Sequence, residues 1–184
     1  MPQAPHDAAF EREWATLRRK LRLAKGFCFI VYFVDDERLV REIKSRLRDT
    51  LTFGTSHLVE IAVEEPSQLA SVSLAAVFEA ADIETHRDVH APFWLEAFRG
   101  RGDPVWDDAR AELLMRLNER RSRLEVEVRC PLILLLPGGT QREAASLAPD
   151  MWHIRVHSTV LVGRIGGGDA ITPDVVPLLT NRAA

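Results

Sequence analysis

The sequence predicts an α/β fold: a three-layer domain with a mostly parallel central sheet and helices on both faces. Two observations carry the prediction. Residues 27–34 and 132–136 are apolar runs without alternation. That is the pattern of strands buried on both faces, as in a parallel sheet. The segments around them show helical periodicity, and strands alternating with helices imply βαβ units.

In chain order, residues 8–24 read as a helix. Phe10, Trp14, Leu17 and Leu21 recur at steps of 4, 3 and 4 on one face,. Arg12, Arg18, Arg19 and Arg22 lie mostly off that face and read as solvated. The first strand, 27–34, follows. Asp35 or Asp36 is placed to cap the next helix, because a carboxylate accepts the free N–H groups of a first turn. That helix carries Leu39, Ile43, Leu47 and Leu51 on one stripe. Residues 52–56 read as a turn, 57–63 as a second strand, and Pro66 opens a helix to about Ala81. Residues 82–102 show no clean period, and Phe93-Trp94-Leu95 is the strand candidate within them. Asp103-Pro104 is an N-cap followed by proline at the first helical position. The helix it starts is expected to reach about Leu124, with Ala109, Leu113, Leu117 and Leu124 inward. A buried strand at 132–136, a Pro137-Gly138-Gly139 turn and a short helix from Thr140 to Leu147 come next. Residues 158–162 form the last strand. The expected organisation is one α/β domain over residues 1–163 and a flexible C-terminal tail at 164–184, where glycine and proline dominate,.

Composition bounds the function. A chain of 184 residues suits one domain, and burial of roughly 70% of its unfolded surface needs no disulfide or metal,. The net charge of −3 gives no argument for nucleic acid or an anionic membrane,. No apolar run approaches the roughly 20 residues of a membrane span. The first seven residues lack the order of a signal peptide. Cys28 and Cys130 each adjoin an apolar run, which suits buried thiols in a reducing, cytoplasmic compartment,. Lysine occurs only at positions 20, 25 and 44, so chemistry needing a lysine has three candidates.

The motifs that carry chemistry are mostly missing. No Gly-Lys-Ser/Thr exists, so there is no Walker A loop, whose glycines let backbone N–H groups wrap a phosphate,. No Gly-x-Ser-x-Gly elbow occurs,. His86 and His90 are four apart, as are His153 and His157. The first pair sits in the aperiodic segment. The second runs into a strand, where such positions lie about 13 Å apart. No metal site, cofactor or catalytic residue is assigned. Arg101-Gly102-Asp103 spells an adhesion tripeptide, but capping explains Asp103. What remains is a candidate ligand edge: Asp35 and Asp36 after the first strand, Glu96 after Phe93-Trp94-Leu95, and Gly138, Gly139 and Thr140 after a later strand. All would lie at the C-terminal edge of a parallel sheet, where ligands of such folds bind.

Two resemblances add to this reading. The stretch from Val31 to Ile43 resembles the start of a response-regulator receiver domain. That family needs a phospho-accepting aspartate ending strand three and a lysine ending strand five. Strand three is unclear, and every lysine here precedes residue 45. The broader resemblance rests on four strings: Phe93-Trp94-Leu95-Glu96-Ala97-Phe98; Trp106-Asp107-Asp108-Ala109-Arg110; Leu117-Asn118-Glu119-Arg120-Arg121 with Leu124; and the 131–137 strand leading to Ala148-Pro149-Asp150-Met151-Trp152-His153. Together they resemble the inactive STAND-like branch of P-loop-related domains in bacterial signalling and conflict proteins. That resemblance implies a degenerate P-loop-like fold with decayed Walker motifs and a non-catalytic interaction or sensor role, with no cofactor. It implies a protein partner, either an effector or a helical-repeat protein, rather than nucleic acid or a membrane. It sets the first strand where the phosphate-loop strand stands, and residues 93–96 where a Walker B strand stands, with Glu96 a remnant acid. Trp94, Asn118, Arg121 and Trp152 become candidate interface residues. The alternative is an unconventional nucleotide- or Mg-binding enzyme using Asp35, Asp36, Glu96 and the Gly138-Gly139 turn.

Overall fold

The computed structural model describes residues 5–53, 57–84 and 91–162. The elements in order are α1 (Pro5–Leu23), β1 (Cys28–Val34), α2 (Glu37–Phe53), β2 (Val59–Ala62), a 3-10 turn (Pro66–Gln68), α3 (Leu69–Glu84), β3 (Phe93–Glu96), α4 (Pro104–Glu119), α5 (Arg121–Glu127), β4 (Pro131–Pro137), α6 (Gln141–Leu147), α7 (Pro149–Ile154) and β5 (His157–Leu161). All five strands are parallel, in the order β2-β3-β4-β1-β5. The α/β class, the central sheet and the helices on both faces are as the sequence predicts.

The central strands are the apolar runs. Every residue of β1 and β4 is buried, and the two pair along their whole length from Cys28↔Pro131 to Val34↔Pro137. The edge strands β2 and β5 keep partly exposed residues, as strands with one neighbour do. Side chains alternate across the sheet. Phe29, Val31 and Phe33, with Phe93, Leu95 and Leu134, face α3 through α7. Ile30, Tyr32 and Val34, with Trp94, Ile133 and Leu135, face α1 and α2. The chain moves from β1 to the far edge through α2, then back through α3 to α7. Right-handed crossovers advancing in opposite directions must occupy opposite faces, and they do,.

Several boundaries differ from the sequence reading. The second helix runs to Phe53, and the second strand is shorter, Val59–Ala62. The helix after Asp103 breaks at Arg120, whose backbone sits at φ −99, ψ 10, and resumes to Glu127. The inward set Ala109, Leu113, Leu117 and Leu124 is buried as expected. Helix α7 was not anticipated; Asn118 caps it, its Oδ1 accepting from Asp150 N at 2.8 Å and Met151 N at 3.3 Å. The receiver alternative is overturned by strand order. A receiver-type sheet runs 2-1-3-4-5, whereas here β1 lies between β4 and β5. The expected tail at 164–184, the pair His86 and His90, and Gly54 to Ser56 fall outside the described residues. Among those described, no helix is long and apolar enough to cross a membrane.

Candidate functional site

The middle of the C-terminal edge of the sheet is made by three connections, after β1, β3 and β4. Backbone bonds extend the sheet into each of them. Asp35 N donates to Leu161 O at 3.1 Å, Ala97 N to Leu135 O at 2.9 Å, and Gly138 N to Val34 O at 2.9 Å.

The first connection has only two residues. Val34 ends β1 and Glu37 begins α2. Asp36 is the cap: its Oδ1 accepts from Arg38 N at 2.8 Å. Asp35 turns the other way, against the β4 turn. A Cβ placed on Gly138 would lie 1.9 Å from Asp35 Oδ1, so the carboxylate rests directly on the glycine. Arg101 Nη1 donates to the same oxygen at 2.7 Å. Gly139, at φ 87, needs glycine for its backbone,. Thr140 stands before α6 but makes no side-chain cap; its hydroxyl donates to Pro137 O at 2.8 Å.

Arg101 is held in place by a rigid loop. Gly100 takes φ 62 and packs under the Trp106 ring, where a Cβ would lie 2.2 Å from Cδ1. Asp103 caps α4, accepting from Val105 N at 3.0 Å. Arg110 is only 4% exposed. Its guanidinium donates to Arg99 O at 2.6 Å and Gly100 O at 3.3 Å, and pairs with Asp107. The string Trp106-Asp107-Asp108-Ala109-Arg110 is therefore the clamp of this loop. Sequence reasoning overlooked Arg110 as its centre, although an arginine at an inward helical position next to Ala109 was the available signal.

Glu96 does not join Asp35 and Gly138 in these contacts. It shares the parity of Trp94 and so faces α2. There it is 7% exposed and bonded to Lys44 Nζ at 2.5 Å and Trp94 Nε1 at 3.0 Å. Lys44 also reaches Glu60 at 3.4 Å, and Arg48 bonds that same carboxylate at 2.6 Å. Asp35, Asp36 and Glu96 are thus each matched by a cation of the chain itself. Among the described residues no three metal-ligating side chains converge.

The other singled-out residues have structural partners. Trp94 is fully buried and has no surface to offer a protein. Asn118 is engaged as the α7 cap. Arg121 pairs with Glu125 at 3.0 Å within α5, its Nε buried and unbonded. Trp152 packs edge-on to Phe33, with ring centroids 6.1 Å apart, and lies under the Arg155 guanidinium at 3.8 Å. His153 ends α7, while His157 meets Glu13 at 2.7 Å on the opposite face of the sheet. Tyr32 donates to the same Glu13 oxygen at 2.8 Å. Burial first, and the neighbouring carboxylate second, push the Tyr32 hydroxyl well above its ordinary range. Cys28 and Cys130 are buried thiols, and burial raises Cys28 against the lowering influence of Lys20.

No family model and no curated protein matches this chain. Among solved structures, the ORC2 protein of Aeropyrum pernix, in its ADPNP-ADP complexes, aligns with 85% of this chain and 46% of its own, at 11% identity and a TM-score of 0.45. This chain therefore spans less than half of that protein. The α/β assignment rests on the strand pairing above, not on this likeness.

Proposed function

We propose that this is a non-catalytic interaction or sensor domain of a bacterial signalling or anti-phage defence system, with an effector or helical-repeat protein as its partner. The signalling context comes from the STAND-like resemblance. The loss of catalysis has its support in one observation: the connection after β1 is two residues long, and its Asp35 carboxylate lies against Gly138. A triphosphate needs a run of backbone N–H groups curled around it. Two residues do not make that curl, and the Asp35–Arg101 pair lies against Gly138 instead. Glu96 fits the same reading, since it is buried and neutralised by the Lys44 ammonium.

Calorimetric titration of the chain with ATP, GTP and ADP, with and without Mg²⁺, tests the proposal. The expected result is no heat up to millimolar nucleotide. Binding tighter than about 100 μM, near −5.5 kcal/mol, would overturn it. So would ATP hydrolysis that disappears in Glu96→Gln.

A further inference from the structure

The described residues enclose open space at the other end of the sheet. A cleft of about 430 Å³ sits between the last turns of α1 and α2 and the starts of β3 and β4. Its volume falls within the roughly 300–1,000 Å³ of ordinary ligand pockets. Leu21, Leu47, Leu51 and Pro131 give it an apolar floor. Arg18 and Arg22, one turn apart on α1, and Arg129, just before β4, bring three guanidinium groups to it. Among the described residues no carboxylate lines it.

The three arginines differ from most others on this surface. Arg46, Arg116, Arg121 and Arg123 each hold a carboxylate in an ion pair. Arg18, Arg22 and Arg129 hold none among the described residues; Arg18 only lies 6.0 Å over the Trp14 ring. All three are exposed. Uncompensated guanidinium groups around an apolar floor match a ligand with the opposite pattern. Arginine presents a planar fork that fits carboxylate, sulfonate and phosphate oxygens, while the floor favours a group that leaves water on binding.

We infer that this cleft binds an anion with an apolar body: a carboxylate, sulfonate or phosphate ester carried on an aliphatic or aromatic group. The site is independent of the C-terminal edge, so it stands whether or not the domain binds nucleotides there.

Decanoate is the probe and decanol its uncharged control, each titrated into the full chain by calorimetry. Decanoate is expected to bind at least tenfold more tightly than decanol, and less tightly as salt rises. The double variant Arg22→Gln/Arg129→Gln is expected to lose at least tenfold in decanoate affinity, to bind decanol as before, and to keep its circular dichroism and melting temperature. Equal binding of decanoate and decanol would overturn the assignment. So would a double variant that binds decanoate like the parent, or no binding at millimolar decanoate. A glutamate-rich peptide that binds in the same assay while decanoate does not would also overturn it, and would make the cleft a protein-docking surface instead.

Discussion

The two ends of the sheet are built on opposite charge plans. At the C-terminal end, Asp35 has Arg101, Asp36 has Arg38 and Glu96 has Lys44, and the loops are locked by Arg110 and by glycines under Trp106 and Asp35. At the N-terminal end, Arg18, Arg22 and Arg129 surround open apolar space with no counter-charge among the described residues. Paired charges at a tightly packed edge act on the chain's own stability. Unpaired charges around a cavity contribute little to folding and remain available to something from outside. The usual expectation for a parallel sheet is a ligand at the C-terminal edge; here three arginines without ion pairs among the described residues line a cleft at the opposite end.

The largest expected effect comes from breaking the paired end. Lys44→Ala takes away the close cation of Glu96, 7% exposed, and leaves only the Arg99 guanidinium 3.9 Å away. Removing one partner of a buried pair costs about 3–5 kcal/mol. Lys44 keeps about a fifth of its side-chain surface in water, so the expected loss is near 3 kcal/mol. A urea melt should show a lower midpoint at constant slope. The double variant Lys44→Met/Glu96→Gln should recover most of the loss, because no buried charge remains and the Gln amide oxygen can still accept from Trp94 Nε1. If Lys44→Ala melts like the parent, the pair is not holding that end together.

A smaller effect is expected at Gly138. Gly138→Ala drives a methyl into Asp35 while the backbone N–H stays tied to Val34. Overpacking of this kind costs about 1–3 kcal/mol. Adding Asp35→Ala should relieve it, giving a coupling above about 0.5 kcal/mol in a double-mutant cycle. Strict additivity would mean that the carboxylate does not rest on the glycine.

How much of this was legible in the sequence follows from what each feature depends on. Strands β1 and β4 announced themselves because burial on both faces needs continuous apolar residues, and these are local facts. The second strand was read too long because edge strands end where their single neighbour ends, and β3 is only four residues. The Arg120 break left no mark, since Leu117 and Leu124 keep one face on either side of it. At the candidate edge, Asp35 and Gly138 were grouped correctly from strand-end logic. Arg101 was passed over as part of a tripeptide, and Glu96 was assigned to the edge although its side chain runs under α2. Which face a strand-end residue points to depends on where the crossover helix lies, a tertiary fact. The cleft was illegible for the same reason: its walls come from residues 18–24, 47–51, 92 and 129–131.

Tyr32 tests the face that α1 covers. It is the chain's only tyrosine, so the absorbance change that accompanies phenolate formation reports it alone. Its hydroxyl titrates well above the ordinary tyrosine value in the folded state, because burial and Glu13 both disfavour the phenolate. The ordinary value, about 10, applies when the chain unfolds. The unfolded state therefore releases the proton first. Stability from this group is complete below pH about 10 and is lost as pH rises from there towards the folded-state value. Tyr32→Phe should cost about 1 kcal/mol at neutral pH through the lost bond to Glu13,. It should also flatten the stability curve above pH 10. A normal tyrosine titration in the folded protein would contradict the buried Tyr32–Glu13 contact.

The smallest expected effect sharpens the contrast most. Arg129→Gln removes a charge that makes no ion pair among the described residues and lines the open cleft. Surface changes away from caps and networks stay within about 0.5 kcal/mol, so its melting curve should overlay that of the parent. Arg101→Gln, on an exposed arginine at the other end, removes the 2.7 Å bond to Asp35 and should cost up to about 1 kcal/mol,. The paired measurement asks whether charge at one end serves the fold while charge at the other does not. If Arg129→Gln were the more damaging of the two, the N-terminal arginines would be structural, and the division between a self-satisfied end and an open one would fail.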